Sequence, residues 1–76
     1  MIEHRTPDLH FAAYVMALDY TLLSPVREGK RVFFVFEMEQ AEWGKLLASW
    51  GGKTGTIIAF EYAEALRALK SLVHAI

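Results

Sequence analysis

The sequence predicts an α+β domain in which three helices surround a short antiparallel hairpin. Three observations lead there: a helix start marked by Thr6-Pro7-Asp8, two β-prone runs flanking Arg27-Glu28-Gly29-Lys30, and a closing segment with apolar residues at helical spacing. At 76 residues with no internal repeat and no linker rich in proline, glycine or serine, the chain reads as one domain, 1–76.

The first helix is expected from about Pro7 to Leu18, with the Thr6 hydroxyl as cap, Pro7 at the first helical position and Asp8 favoured by the helix dipole. On a helical wheel Leu9, Ala12, Ala13 and Met16 form one apolar stripe. Phe11, Val15 and Leu18 form a second on nearly the opposite side, which leaves His10, Tyr14 and Ala17 as the wet edge. A helix apolar on two faces is sandwiched, either within its own domain or between two copies.

The hairpin follows. Its first strand is expected at Tyr20-Thr21-Leu22-Leu23 and its loop at Arg27-Glu28-Gly29-Lys30, with the second strand running from Arg31 to Phe36. Pro25 lacks an N–H for the ladder, so it belongs at a strand end or sheet edge. In the second strand Val32, Phe34 and Phe36 alternate with Phe33 and Val35, so both faces call for cover. Glu37 to Ser49 returns to helical spacing, with Trp43, Leu46, Leu47 and Trp50 on one stripe, and Gly51-Gly52 is expected to supply the left-handed cap. Thr54 to Ile58 is short and β-branched, and reads equally well as a third strand or as loop. The last helix, Ala59 to Ala75, places Ile58, Tyr62, Ala65, Leu66, Leu69, Leu72, Val73 and Ile76 on one face. Glu61 and Glu64 come early in it, and Arg67 and Lys70 late, which matches the macrodipole.

Composition narrows the function classes. A chain this short balances burial against ordering entropy near zero and needs extra support from disulfides, metals or oligomerisation. No cysteine is present, so disulfides and thiolate metal sites are out, and association with a second copy is the expectation. The net charge of −1 gives no global field for nucleic acid or an anionic membrane. Met1 to Asp8 carries Glu3, His4 and Arg5 in place of the apolar core of a signal peptide. The longest apolar run, Phe11 to Leu18, is far shorter than the roughly 20 residues a membrane span requires. A cytoplasmic location is therefore expected, with no membrane partner.

No catalytic, cofactor or metal residues are assigned. Nucleophilic catalysis lacks a cysteine or a glycine-flanked serine turn. His4, His10 and His74 with Glu3 or Asp8 would make a nitrogen and oxygen metal site, but no pair has helical ligand spacing. Glu37, Glu39 and Glu42 read as acids at a helix start before they read as a catalytic pair. Gly51-Gly52-Lys53-Thr54-Gly55-Thr56 shares composition with a phosphate-binding loop, yet its leading glycine spacing is wrong and a helix precedes it.

Two surfaces remain. Arg27, Lys30 and Arg31 beside Phe33, Phe34 and Phe36 combine charge for phosphates with rings for stacking, the requirements of a single-strand nucleic-acid grip; the competing reading is core phenylalanines below a solvated turn. Trp43 and Trp50 suit either an interface or the core.

Thr6-Pro7-Asp8-Leu9 with Ala12-Ala13-Tyr14, the strand Val32-Phe33-Phe34-Val35-Phe36-Glu37, and Tyr62, Ala65-Leu66-Arg67 and Leu69-Lys70-Ser71-Leu72 together resemble a small uncharacterised family of bacterial and phage-associated proteins of unknown function. The resemblance spans nearly the whole chain, rests mostly on core and cap residues, and implies an association with mobile elements but no activity or cofactor. The loop around Ser24-Pro25-Val26 is longer than that pattern. The expected function is a non-enzymatic, self-associating interaction module, a homodimer first, with Phe11, Val15, Leu18, Phe33, Val35, Trp43 and Trp50 as candidate interface. The alternative is a small nucleic-acid-binding accessory protein that uses Arg27, Lys30 and Arg31.

Overall fold

Hydrophobic alternation is weakest at the amino terminus, yet the chain begins there with a strand. In the computed structural model, which describes residues 1–76, β1 (Ile2–Thr6) is followed by α1 (Leu9–Ala17), β2 (Val26–Glu28), β3 (Arg31–Met38), α2 (Gln40–Gly51) and α3 (Ala59–Ala75). The fold is α+β, with an antiparallel sheet in the order β1-β3-β2 and a long C-terminal helix. No helix is long and apolar enough to cross a membrane.

The third strand is thus β1, whereas Thr54 to Ile58 has no strand pairing. β1 escapes a hydrophobic pattern because its inward residues are polar: His4 and Thr6 are buried opposite Phe36 and Phe34. The imidazole of His4 stacks on Trp43 and donates Nε2–H to the Met38 carbonyl at 3.1 Å, so its burial leaves no unpaired donor.

The first hairpin strand also moves. Tyr20 to Leu23 contributes only an isolated bridge, Leu22 to Phe36, and the strand proper is β2, drawn from the expected loop. The turn shrinks to Gly29-Lys30, with Gly29 at φ +63° and Lys30 at negative φ, the pattern of a two-residue type II′ connection. Leu22 faces Phe36 and Val26 faces Phe33, so four residue steps on one strand oppose three on the other. That extra residue is a bulge, and Pro25, with no N–H to pair, sits inside it. Without it Leu22 and Val26 would share a face. With it Leu22 packs against the core and Val26 turns to the other side of the sheet.

α1 begins later than the proline suggests. Asp8 is the N-cap, its Oδ1 accepting from His10 and Phe11 N–H, while the Thr6 hydroxyl accepts from Asp8 N–H one step upstream. Five successive residues, Phe11 to Val15, are buried, so both stripes of this helix are covered within the single chain. Tyr14, expected at the wet edge, is among them.

α1 and α2 end alike. Tyr20 N–H bonds to the Val15 carbonyl and Asp19 N–H to Met16, and Thr54 N–H bonds to Ser49 and Lys53 N–H to Trp50. Both are Schellman endings, and their left-handed residues are Asp19 (φ 72°) and Lys53 (φ 58°). The expected glycine cap is displaced accordingly: Gly51 is the last helical residue and Gly52 is right-handed.

Candidate functional site

Three depressions mark the folded surface: an aromatic cleft, an apolar patch, and an open groove lined by Pro7, Leu9, Lys30, Arg31, Val32, Phe34 and Val73. The cleft arises because α1 and α2 are joined by ring contacts. Trp43 meets Phe11 edge-on at 5.3 Å, and Trp50 lies 5.1 Å from Tyr14 and 6.5 Å from Tyr62. Trp43 is buried at the inner end of this row and Trp50 is half-buried at the outer end. Beyond Trp50 the chain leaves α2 through its cap and passes across Tyr14. Gly55 lies so close that a Cβ there would overlap the Tyr14 hydroxyl.

The result is a cleft of about 470 Å³ lined by Tyr14, Ser49, Trp50, Lys53, Gly55 and Ile57. Its hydroxyls form a closed relay. Ser49 donates to the Leu46 carbonyl at 3.1 Å, which makes Tyr14 the donor in its 2.8 Å bond to Ser49 Oγ. The backbone is committed as well, since Lys53, Thr54 and Gly55 N–H all bond to carbonyls of the last turn of α2. A phosphate-cradling loop needs those N–H groups free, so this segment is a helix cap. The Lys53 ammonium makes no ion pair and is the one charged group on the lining.

The patch lies where α1 ends and α3 begins. Ala17, Leu18, Asp19, Thr56, Ile57 and Ile58 line a shallow depression; Ile58 is largely exposed there, and Phe60 is exposed two residues further on, in the first turn of α3. α3 starts without a side-chain cap because its N-cap residue is Ile58.

Of the seven residues expected at an interface, Phe11, Val15, Val35 and Trp43 are buried inside the single chain, which removes them from its outer surface. Leu18, Phe33 and Trp50 are half-buried. Leu18 belongs to the patch and Trp50 to the cleft, while Phe33 lies on the outer sheet face under the Arg5 guanidinium, 4.7 Å from the ring centre. Exposed Ile58 and Phe60 were not singled out in the sequence, because a helical wheel assigns Ile58 to the buried face and ignores the turn that precedes the helix.

Arg27, Lys30 and Arg31 are exposed around the β2–β3 turn, and Arg27 donates to the Ile76 backbone oxygen at 3.2 Å. The rings beside them do not form an open platform: Phe34 and Phe36 are buried, and Phe33 is capped by Arg5. The three histidines part company. His4 is buried on Trp43, His10 shares a 3.2 Å hydrogen bond with the Tyr62 hydroxyl, and His74 lies exposed near the end of α3. Glu42 accepts from Tyr20 at 2.7 Å, and Glu37 faces Glu3 across the outer side of the sheet.

Burial raises the Tyr62 pKa above its ordinary value, with the Asp8 carboxylate adding to the effect. The hydrogen bond to Glu42 raises that of Tyr20, helped by burial and by the Glu42 charge. Comparison with protein-family models, with curated proteins and with solved structures found no match.

Proposed function

We propose that the protein is a non-catalytic interaction module that associates with a second copy of itself through the patch between the end of α1 and the start of α3. The observation that carries this reading is the exposure of Ile58, 69%, in the depression it lines with Leu18 and Ile57, with Phe60 equally exposed two residues along the chain. Apolar side chains concentrated in this way mark contact surfaces, and scattered ones do not. The surface area agrees in direction. The chain exposes 5023 Å², against about 4,700 Å² expected for a monomer of its mass. A knob next to a depression is self-complementary under a two-fold axis, the geometry of an isologous dimer.

Ile58→Asp tests this without endangering the fold. It removes the exposed side chain and places a capping carboxylate at the bare N-terminus of α3, a change worth about 1 kcal/mol to the helix. The expected outcome in sedimentation velocity is a dimeric parent and a monomeric variant with undiminished helical circular dichroism. A parent that stays monomeric at about 100 μM, where even weak dimers with binding energies near 6 kcal/mol form, would sink the reading.

A further inference from the structure

We infer that the cleft between the end of α2 and Tyr14 is a binding site for a small aromatic monocarboxylate, with Lys53 holding the carboxylate and Trp50 stacking on the ring. Three observations converge. Its volume of about 470 Å³ falls within the usual span of small-ligand sites, about 300–1,000 Å³. Its apolar lining is Trp50, Ile57 and the Tyr14 ring, so a flat apolar body finds a partner along one side. Its hydroxyls and the N–H groups of Lys53, Thr54 and Gly55 are already bonded within the chain, while the Lys53 ammonium and the Trp50 indole N–H form no hydrogen bond.

That inventory selects the ligand class. One cation with no supporting N–H cradle matches a single negative charge better than a phosphate dianion. An anion bonds to the ammonium more strongly than a neutral polar ligand does.

The backbone supplies an independent reason to look at Lys53. It holds the left-handed position of the α2 cap, where a side chain costs roughly 1–2 kcal/mol and glycine costs none, although two glycines directly precede it. A cation at a helix C-terminus offsets part of that cost through the dipole. The purely structural account and the binding account therefore diverge on one substitution. Lys53→Gly relieves the backbone and removes the ammonium, so it keeps the fold and weakens carboxylate binding.

The experiment titrates the full chain with 3-phenylpropionate and with its uncharged amide, following the two tryptophan indole N–H resonances, assigned with Trp43→Phe. The expected result is saturable movement of the Trp50 resonance at a Kd on the order of 1 mM, with the buried Trp43 resonance much less affected. The amide, and the carboxylate on Lys53→Gly, should each bind about tenfold more weakly, and Lys53→Arg should restore most of the difference. Equal affinity for acid and amide, unchanged binding by Lys53→Gly, a response confined to Trp43, or no saturation by about 20 mM would each overturn the assignment.

Discussion

The two faces of β3 both carry apolar residues and are protected in different ways. On one face Phe34, Phe36 and Met38 lie in the main core with side chains from all three helices. On the other, Phe33 and Val35 have no helix above them. Arg5 of β1 reaches over the Phe33 ring and bonds to Glu28 of β2 at 2.7 Å, so an ion pair spans the central strand from one neighbour to the other. Val35, the ladder partner of Arg5, is only 5% exposed. A strand that is apolar on both sides thus needs neither a second helical layer nor a second copy. Long charged side chains cover it with their stems while their heads stay wet.

The largest test of this difference is truncation on either side. Phe36→Ala opens a cavity in a site with no exposure and should cost about 3–5 kcal/mol, enough to unfold a domain of this size. Phe33→Ala removes a half-buried ring under a solvated cover and should cost about 1–2 kcal/mol. Urea midpoints of the two variants measure the ratio. Equal losses would mean that the outer face is as rigidly packed as the core.

A smaller effect is expected from the cover itself. Arg5→Gln removes both the cation over the ring and the bond to Glu28, exposed interactions worth together about 0.5–1 kcal/mol. Raising the salt concentration should shrink the difference between parent and variant, because the pair is solvated. A salt-independent loss would locate the contribution of Arg5 in the packing of its stem.

The same contrast explains what could be read from the sequence. The middle of the α3 face and part of the α2 stripe were legible because Leu69, Ala65, Trp43 and Leu46 follow helical spacing into the core, whereas Leu47, Ile58 and Ile76, assigned to the same stripes, are exposed. β1 was not, because its buried residues are a histidine and a threonine, whose burial depends on Trp43 and Met38 arriving from elsewhere in the chain. The position of β2 was hidden by the bulge at Pro25, since one extra residue reverses the facing of everything before it. In the cleft, Trp50 and the glycine-rich loop with Lys53 stood out as sequence features. Tyr14 did not, because a wheel drawn for α1 alone cannot show a loop that closes over it 41 residues later, at Gly55.

The mildest expected effect is a pH dependence belonging to the helix-covered side. Tyr20 packs against the core and donates to Glu42 at 2.7 Å, and this bond exists only while the phenol keeps its proton. Its pKa is raised in the folded state, so the folded chain holds that proton more tightly than the unfolded chain does. The resulting stabilisation is complete below the ordinary tyrosine pKa of about 10 and is lost as the pH climbs through the raised value. Tyr62 shifts in the same direction, and its contribution remains when Tyr20 is changed. Urea midpoints should therefore fall as the pH rises above about 10 in the parent and fall less steeply in Tyr20→Phe. Identical slopes would show that Glu42 releases Tyr20 in solution, leaving the helix-covered face without this polar tie at its rim.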